Sequence, residues 1–221
     1  MVNDMAQGSG APKKSVVNEG VLGDDGTIGV WCFEVSGIPR IHPLFAAEPG
    51  SVCRHAVRLL LAHRGKLAPE EITFTTGTFG KPKVDLGVNY SSSADDAHAA
   101  IAITATGEIG IDLQIKPVEV VDLETLVGGQ LTAVRIKNHR TLWARIEAVV
   151  KCRGIGFRLP VTALMVKQLE EPEGSLDVHG ARVWWRDLPH EFGSLCLANE
   201  RPIKRVEFHC VPWKLTAPQQ P

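Results

Sequence analysis

The sequence lacks the features that would place it in a membrane or in an oxidising compartment. No stretch reaches the roughly 18 apolar residues that a membrane-spanning helix needs, and the N-terminus has no long apolar run. The 5 cysteines are odd in number and scattered, without the spacing of a zinc site or of a disulfide framework. We therefore expect a soluble, cytoplasmic protein with free thiols.

An excess of charge of either sign is also lacking. The 24 Lys and Arg residues nearly balance the 25 Asp and Glu residues, which gives a formal net charge of −1. We do not expect nucleic acid as a partner, because a protein that binds it usually carries a strongly basic face. Any attraction to an acidic partner must come from a local basic patch. The 221 residues, 44% of them hydrophobic, suit one large domain or two smaller halves.

Hydrophobic patterning predicts a mixed α+β protein. β-Branched and aromatic residues predict a first strand at 27–35, and an apolar periodicity predicts a helix at 52–63 after a proline-rich loop. A long helix follows at 142–153. The other predicted elements are a strand and a turn within 71–84, a serine-rich loop at 88–96, strands from 97 to 104 and at 107–115, and a helix at 121–128. Further strands are predicted at 159–167, at 174–189 with a turn at His179-Gly180, at 194–199 and at 203–211.

The order of strand, helix and several strands occurs twice along the chain. We therefore divide the chain into an N-terminal half at 27–106 and a C-terminal half at 107–212. Residues 1–26 are small and polar and are expected to form a disordered leader, and residues 213–221 a tail.

The stretch at 142–157, LWARIEAVVKCRGIGF, predicts a helix with polar chemistry on one side. Trp143, Glu147 and Lys151 are spaced at i, i+4 and i+8, and so share that side. Taken alone, Glu147 and Lys151 would be an exposed ion pair worth a few tenths of a kcal/mol. The alternative is a site for a metal ion and a phosphate.

Two other features also allow either a structural or a functional interpretation. Asp112 lies in an apolar strand, where a carboxylate is costly unless it is paired or holds a metal; the alternative is that it faces water at the end of the strand. Arg54 and Arg58 lie one turn apart on the predicted first helix. They form either a solvated face or a clamp for a phosphate group.

Four stretches, in this order along the chain, resemble the motifs of the Sfp-type 4′-phosphopantetheinyl transferases. Residues 80–82 (GKP) resemble the family's GKP turn, and residues 89–93 (NYSSS) resemble its N-[LI]-S-H-S loop. Residues 110–112 (GID) resemble its G-[IV]-D strand, and residues 143–156 resemble its W-x-x-K-E-A-x-x-K-x-x-G-x-G helix. The ordered set covers about 27–210 and is far more specific than any single motif.

The resemblance implies an α+β fold of two pseudo-symmetric halves, each a small antiparallel sheet packed with a long helix, with the active site in the cleft between them. It implies an enzyme of the holo-[acyl-carrier-protein] synthase type that works as a monomer. Such an enzyme transfers 4′-phosphopantetheine from coenzyme A to a serine of an acyl or peptidyl carrier protein and releases adenosine 3′,5′-bisphosphate. Magnesium is the implied cofactor.

The resemblance also implies a role for individual residues. Glu147 and Lys151 are the expected catalytic residues, with Glu147 as the base. The expected magnesium ligands are Asp112, Glu147 and Gln114, and the residues expected to hold coenzyme A are Lys81, Arg54, Arg58, Ser91, Ser92 and Lys151. For the acidic helices of a carrier protein, charge complementarity favours the basic residues Arg135, Lys137 and Arg140, which are otherwise solvated loop charges.

Three positions depart from the family's pattern. Ser92 stands where the family usually has a histidine, so it can donate a hydrogen bond but brings no positive charge. Gln114 stands where many members have a second carboxylate, and Ile146 replaces a lysine. The motifs favour a divergent but active transferase, and these departures leave two alternatives open. One is an impaired member that only binds a carrier protein or coenzyme A, and the other is an unrelated structural protein in which Asp112 and Glu147 lie far apart.

Overall fold

The computed structural model describes residues 26–34, 52–95, 98–126, 138–158 and 161–209. The strands are β1 (Thr27–Glu34), β2 (Phe74–Thr76), β3 (Pro82–Val84), β4 (Asn89–Ala94), β5 (His98–Thr104), β6 (Ile109–Gln114), β7 (Glu173–Val178), β8 (Ala181–Leu188), β9 (Ser194–Asn199) and β10 (Arg205–His209). The α-helices are α1 (Val52–Gly65), α2 (Val120–Leu126), α3 (His139–Arg153) and α4 (Ala163–Gln168). Residues 1–25 of the predicted leader, the proline-rich loop and the tail lie outside the described residues, as do Arg135 and Lys137. The mixed α+β composition is confirmed.

The first sheet has the strand order β10-β1-β5-β4. β5 runs antiparallel to both β1 and β4, whereas β10 runs parallel to β1 with Thr27 opposite Arg205. The prediction that this sheet is antiparallel throughout is therefore wrong for its β1–β10 pair. It failed because β10 lies near the other end of the described chain from β1, and the residue pattern of β10 does not encode which strand it pairs with. Helix α1 packs on one face of the sheet through residues such as Val57 and Leu61.

The second sheet has the order β6-β9-β8-β7 and is antiparallel throughout. Helix α3 lies across one face, where Leu142, Ile146 and Val149 pack into a core with Trp185. A separate core joins the two sheets and contains residues such as Val30 from β1 and Ile111 from β6. Strands β4 and β6, each at the edge of its own sheet, are in contact. Symmetry between the two halves stays a prediction.

Two elements differ from the prediction. The serine-rich stretch predicted as a loop is strand β4, which pairs with β5 over its whole length. Its small side chains have little intrinsic strand preference, so the pairing with neighbouring strands decides its conformation. The strand predicted at 159–167 is instead helix α4, whose N-terminus is capped because the side chain of Thr162 accepts a hydrogen bond from Met165 N. A short apolar run in a sequence does not distinguish a strand from a helix.

None of the helices in the described ranges is long and apolar enough to cross a lipid bilayer.

Candidate functional site

The site is built where strand β6 crosses helix α3 at very close range. A Cβ atom placed on Gly110 would lie 1.9 Å from the carbonyl oxygen of Ala148 and 2.5 Å from the backbone nitrogen of Cys152. Only glycine allows the strand to approach the helix backbone this closely. Since side chains alternate along a strand, Asp112 follows Gly110 on the same face and is brought to the helix that carries Glu147.

The charged side chains of β6 and α3 meet at one ammonium group. Lys151 Nζ lies 2.6 Å from Asp112 Oδ1 and 3.6 Å from Glu147 Oε2. Ser93, on strand β4, donates a hydrogen bond to the same Asp112 Oδ1 at 2.8 Å. The two carboxylates therefore lie near each other, contrary to the alternative in which the motifs match by accident.

Burial affects both carboxylates, Asp112 and Glu147. Asp112 is only 4% exposed, and its second oxygen, Oδ2, is buried without a hydrogen-bond partner among the described residues. Burial raises the pKa of Glu147 above its ordinary value; the charge of Lys151 opposes this shift, and the charge of Asp112 adds to it. A carboxylate with a raised pKa is a stronger proton acceptor, which is what a general base requires.

Two hollows open beside the pair formed by Glu147 and Lys151, and both residues line each of them. The first hollow has a volume of about 360 Å³ and is mainly apolar; its other lining residues include Phe79, Lys81, Tyr90, Ser92, Gly154 and Phe157. The second has a volume of about 410 Å³ and is more polar; its other lining residues include Ser93, Asp95, Asp112, Gln114, Lys116 and Trp143. Each hollow is lined by residues from both of the halves into which we divide the chain.

Lys81 lies beside the first hollow, but its ammonium group is fully engaged with the protein. Its Nζ donates to Glu108 Oε2 at 2.6 Å, to Ile109 O at 2.8 Å and to Cys152 O at 3.2 Å. A lysine ammonium has three donors, so a phosphate would have to replace one of these partners. The bonds connect the turn before β3 to the start of β6 and to the last turn of α3, where a cation is favoured. Binding of coenzyme A by Lys81 stays a prediction.

Lys81→Met should therefore lower the free energy of unfolding, by about 2 kcal/mol, because it removes a charged donor and leaves two carbonyl groups without it. Lys83→Met is the matched control, since the Lys83 side chain is 51% exposed and lies 3.5 Å from the same Glu108; it should change stability by less than about 1 kcal/mol. Urea unfolding measures both values. An unchanged stability of Lys81→Met, combined with a raised KM for coenzyme A, would instead show that Lys81 binds phosphate.

The two serines proposed to hold coenzyme A lie in different surroundings. Ser91 is buried, and its Oγ accepts a hydrogen bond from Ile111 N at 3.1 Å, which connects β4 to β6. Ser92 lines the first hollow, and the thiol of the nearby Cys53 donates a hydrogen bond to Ser93 O at 3.7 Å. Burial raises the pKa of that thiol, so Cys53 is a poor nucleophile here. Ser92 is thus placed to meet a ligand, whereas Ser91 has a structural partner; both assignments stay predictions.

The two arginines of helix α1 also differ. Arg58 Nη1 donates to the carbonyl oxygens of Pro69 and Ile72 at 3.0 and 2.7 Å, and its guanidinium lies over the ring of Phe74. These contacts give Arg58 a structural role that the sequence does not predict. Arg54 is exposed. Burial raises the pKa of the Tyr90 hydroxyl group, and the positive charge of Arg54 opposes this shift. Contacts of either arginine with coenzyme A stay predictions.

The remaining predicted residues of the described chain lie near the second hollow. Gln114 lines this hollow together with Asp112, and its Nε2 donates to Lys116 O at 3.0 Å. Arg140 Nη1 donates to Ile115 O at 3.2 Å at the start of α3, so one of its donors is used within the protein. Gln114 as a magnesium ligand and Arg140 as a carrier contact stay predictions.

The sequence pattern does not indicate the buried arginine that fixes helix α3. Arg145 is 7% exposed, and its Nε donates to Asp187 Oδ1 at 2.9 Å while Nη1 donates to Leu169 O at 2.7 Å. Its place in the helix sequence gives no signal of this role, because the partners come from distant segments. The next residue, Ile146, is fully buried. An ammonium group at this position of the chain would lie in the apolar core.

The sequence is similar to that of a known protein over part of its length. No protein-family model matches the chain. A curated protein of Synechocystis sp., named "putative 4′-phosphopantetheinyl transferase", is 34% identical over 123 residues, which cover 47% of this chain and 48% of the relative. The chain thus spans about half the length of the curated relative that it matches. This similarity supports the interpretation drawn from the motifs, that of a divergent member of the 4′-phosphopantetheinyl transferase type.

Proposed function

We propose that this protein transfers the 4′-phosphopantetheine group of coenzyme A to a serine hydroxyl of an acyl or peptidyl carrier protein. The observation that carries the proposal is the convergence of Asp112 on β6 with Glu147 and Lys151 on α3 beside two hollows. The similarity to a named transferase of this type supports the same reaction. In this reaction, the serine oxygen forms a bond to the phosphorus that carries pantetheine. The bond between this phosphorus and the bridging oxygen of the pyrophosphate breaks. Adenosine 3′,5′-bisphosphate leaves with the electron pair.

The residues present fit a magnesium ion. Magnesium usually takes one or two carboxylates and completes its coordination with water and substrate phosphate. Asp112 Oδ2 is a buried acceptor without a hydrogen-bond partner in the described chain, and Glu147 borders the same hollow. Across the described ranges no group of three or more His, Cys, Asp or Glu residues could hold a metal by itself, so water and substrate phosphate would have to supply the other ligands. Asp112 and Glu147 would hold the ion, with the amide oxygen of Gln114 as a third donor. When bound, magnesium would neutralise charge on the pyrophosphate.

Glu147 and Lys151 supply the chemistry that side chains can provide. Glu147 would accept the proton of the serine hydroxyl, and its raised pKa, caused first by burial, favours this step. Lys151 lines both hollows, so its ammonium group can contact a phosphate oxygen that lies between them. In phosphoryl transfer, positioning and charge neutralisation of this kind supply most of the catalysis.

The first hollow is the better place for the organic part of coenzyme A. It is bordered by the rings of Phe79 and Phe157, which are 50% and 46% exposed. Exposed rings at the rim of a hollow are typical of a site that buries a partly apolar ligand. With the ligand lying there, its phosphates would reach Ser92 and Lys151.

The second candidate function is a module that binds a carrier protein or coenzyme A without catalysis, which the serine at position 92 and the glutamine at 114 favour. Ser92→His adds a cationic donor at the first hollow. It should therefore tighten coenzyme A binding by one to two powers of ten, about 1.5–3 kcal/mol. Isothermal titration calorimetry measures this change, with Ser175→His on strand β7 as the control.

Activity assays separate the two functions. If wild-type protein transfers phosphopantetheine, the non-catalytic module is excluded. If transfer occurs only in the double variant Ser92→His with Gln114→Glu, the module is the correct description and the proposed transferase is not.

A further inference from the structure

One oxygen of Asp112 carries both of the hydrogen bonds that this carboxylate makes in the described chain. Oδ1 accepts from Ser93 Oγ at 2.8 Å and from Lys151 Nζ at 2.6 Å. The two donors come from separate elements, since Ser93 belongs to the edge strand of the first sheet and Lys151 to helix α3. Two donors from separate elements fix the plane of the carboxylate more firmly than one flexible lysine would alone.

The other oxygen of Asp112 has no such donors in the described part of the chain. Oδ2 is buried and has no hydrogen-bond partner among the described residues, although Asp112 is only 4% exposed. A buried carboxylate oxygen without a partner is costly, because it has lost water and gained nothing in exchange. A cation at Oδ2 offsets this cost. Asp112 and Ser93 both line the polar hollow, where such an ion has room.

Two serines of strand β4 lie on the same face, two residues apart, and make different hydrogen bonds to β6. Ser91 Oγ accepts from the backbone nitrogen of Ile111, so this serine holds the backbone of β6. Ser93 Oγ donates to the side chain of Asp112 and thus acts on the orientation of the carboxylate. Ser93 is itself buried, at 9% exposure, so bulk water does not replace its hydroxyl group easily.

We propose that Ser93 is a positioning residue that orients Asp112 so that Oδ2 faces the divalent cation, and that it thereby sets the affinity of the site for that cation. This inference rests on the proposed function, because it assumes that Asp112 is a metal ligand. Residues that hold a metal ligand through a hydrogen bond commonly change metal affinity when they are replaced. Ser93 acts through Asp112 and does not itself contact the reacting atoms.

The test is direct binding of Mn²⁺, used as a probe for Mg²⁺, measured by electron paramagnetic resonance in the presence of coenzyme A. Ser93→Ala should raise the Kd for Mn²⁺ by about tenfold or more. Ser93→Thr keeps the hydroxyl group and suits a strand, so it should retain the wild-type Kd. The Kd for coenzyme A without metal should stay the same in both variants.

Ser175→Ala is the control. It removes a serine hydroxyl that accepts a hydrogen bond from Arg182 Nη1 at 3.3 Å on strand β7, at the edge of the second sheet opposite to β6, and it should leave the Kd for Mn²⁺ unchanged. If Ser93→Ala does not fold, Ser93→Cys replaces it, because a thiol is nearly the same size but a weaker donor; its Kd should also rise.

Three results would overturn the inference: a wild-type Kd in Ser93→Ala, an equal loss of affinity in Ser175→Ala, or a wild-type protein that binds no Mn²⁺. The proposed function fails separately. A wild-type protein that binds Mn²⁺ with the predicted dependence on Ser93 but modifies no carrier protein would refute the transferase and leave the role of Ser93 standing.

Discussion

Glu147→Gln should lower kcat/KM for transfer to a carrier protein by about 10³-fold, because it removes the proposed base and one of the carboxylates of the metal site. The substitution keeps the size and shape of the side chain. The folded protein should not lose stability, since the raised pKa of Glu147, caused first by burial, means that its ionised form is less favourable in the folded state than in water. Transfer is measured by mass spectrometry of the carrier, and stability by differential scanning calorimetry.

The control for this prediction is Glu173→Gln. Glu173 pairs with Arg186 on the exposed side of the second sheet, away from the two hollows, and the substitution removes the same charge. It should leave kcat/KM within about twofold of the wild-type value, because exposed ion pairs contribute little. Wild-type kcat/KM in Glu147→Gln would contradict the role given to Glu147.

Gly110→Ala should destabilise the protein by about 4 kcal/mol or more, or prevent folding. The added Cβ would lie 1.9 Å from Ala148 O and 2.5 Å from Cys152 N, and both are backbone atoms of a buried helix that cannot move aside as a side chain could. If the protein folds, the displaced helix should also separate Glu147 from Asp112 and reduce transfer. Urea unfolding followed by circular dichroism measures the loss of stability.

Gly65→Ala provides the comparison for the same chemical change. Gly65 is the last residue of α1, and a Cβ there would meet only the side chain of Leu67, at 3.2 Å. Alanine is the better helix former, so this variant should be within about 1 kcal/mol of the wild type. If Gly110→Ala unfolds at the same urea concentration as the wild type, the close crossing of β6 and α3 is incorrect.

The parts of the site that follow from local geometry can be predicted from the sequence. The spacing of Glu147 and Lys151 places them one turn apart on any helix, and the structure confirms helix α3 over His139–Arg153. The meeting of these residues with Asp112 is not a local property. It is predicted only because the ordered motifs resemble those of a known family.

Other features depend on contacts between distant segments, which the sequence pattern does not encode. Strand β4 consists largely of serines, so its pairing with β5 and its contact with β6 determine its structure. The partners of Lys81 and Ser93 lie 19 to 71 residues away in sequence.

The most direct test of the proposed function is the intact mass of an apo carrier protein after incubation with wild-type protein, coenzyme A and Mg²⁺. We predict that the carrier gains the mass of one phosphopantetheine group on its serine, that chelation of Mg²⁺ abolishes the gain, and that Glu147→Gln reduces its rate by about 10³-fold. Apo carriers from the native host provide the substrates, and a known transferase shows that they are competent. If that enzyme modifies these carriers and the wild-type protein modifies none of them, the proposed function is wrong.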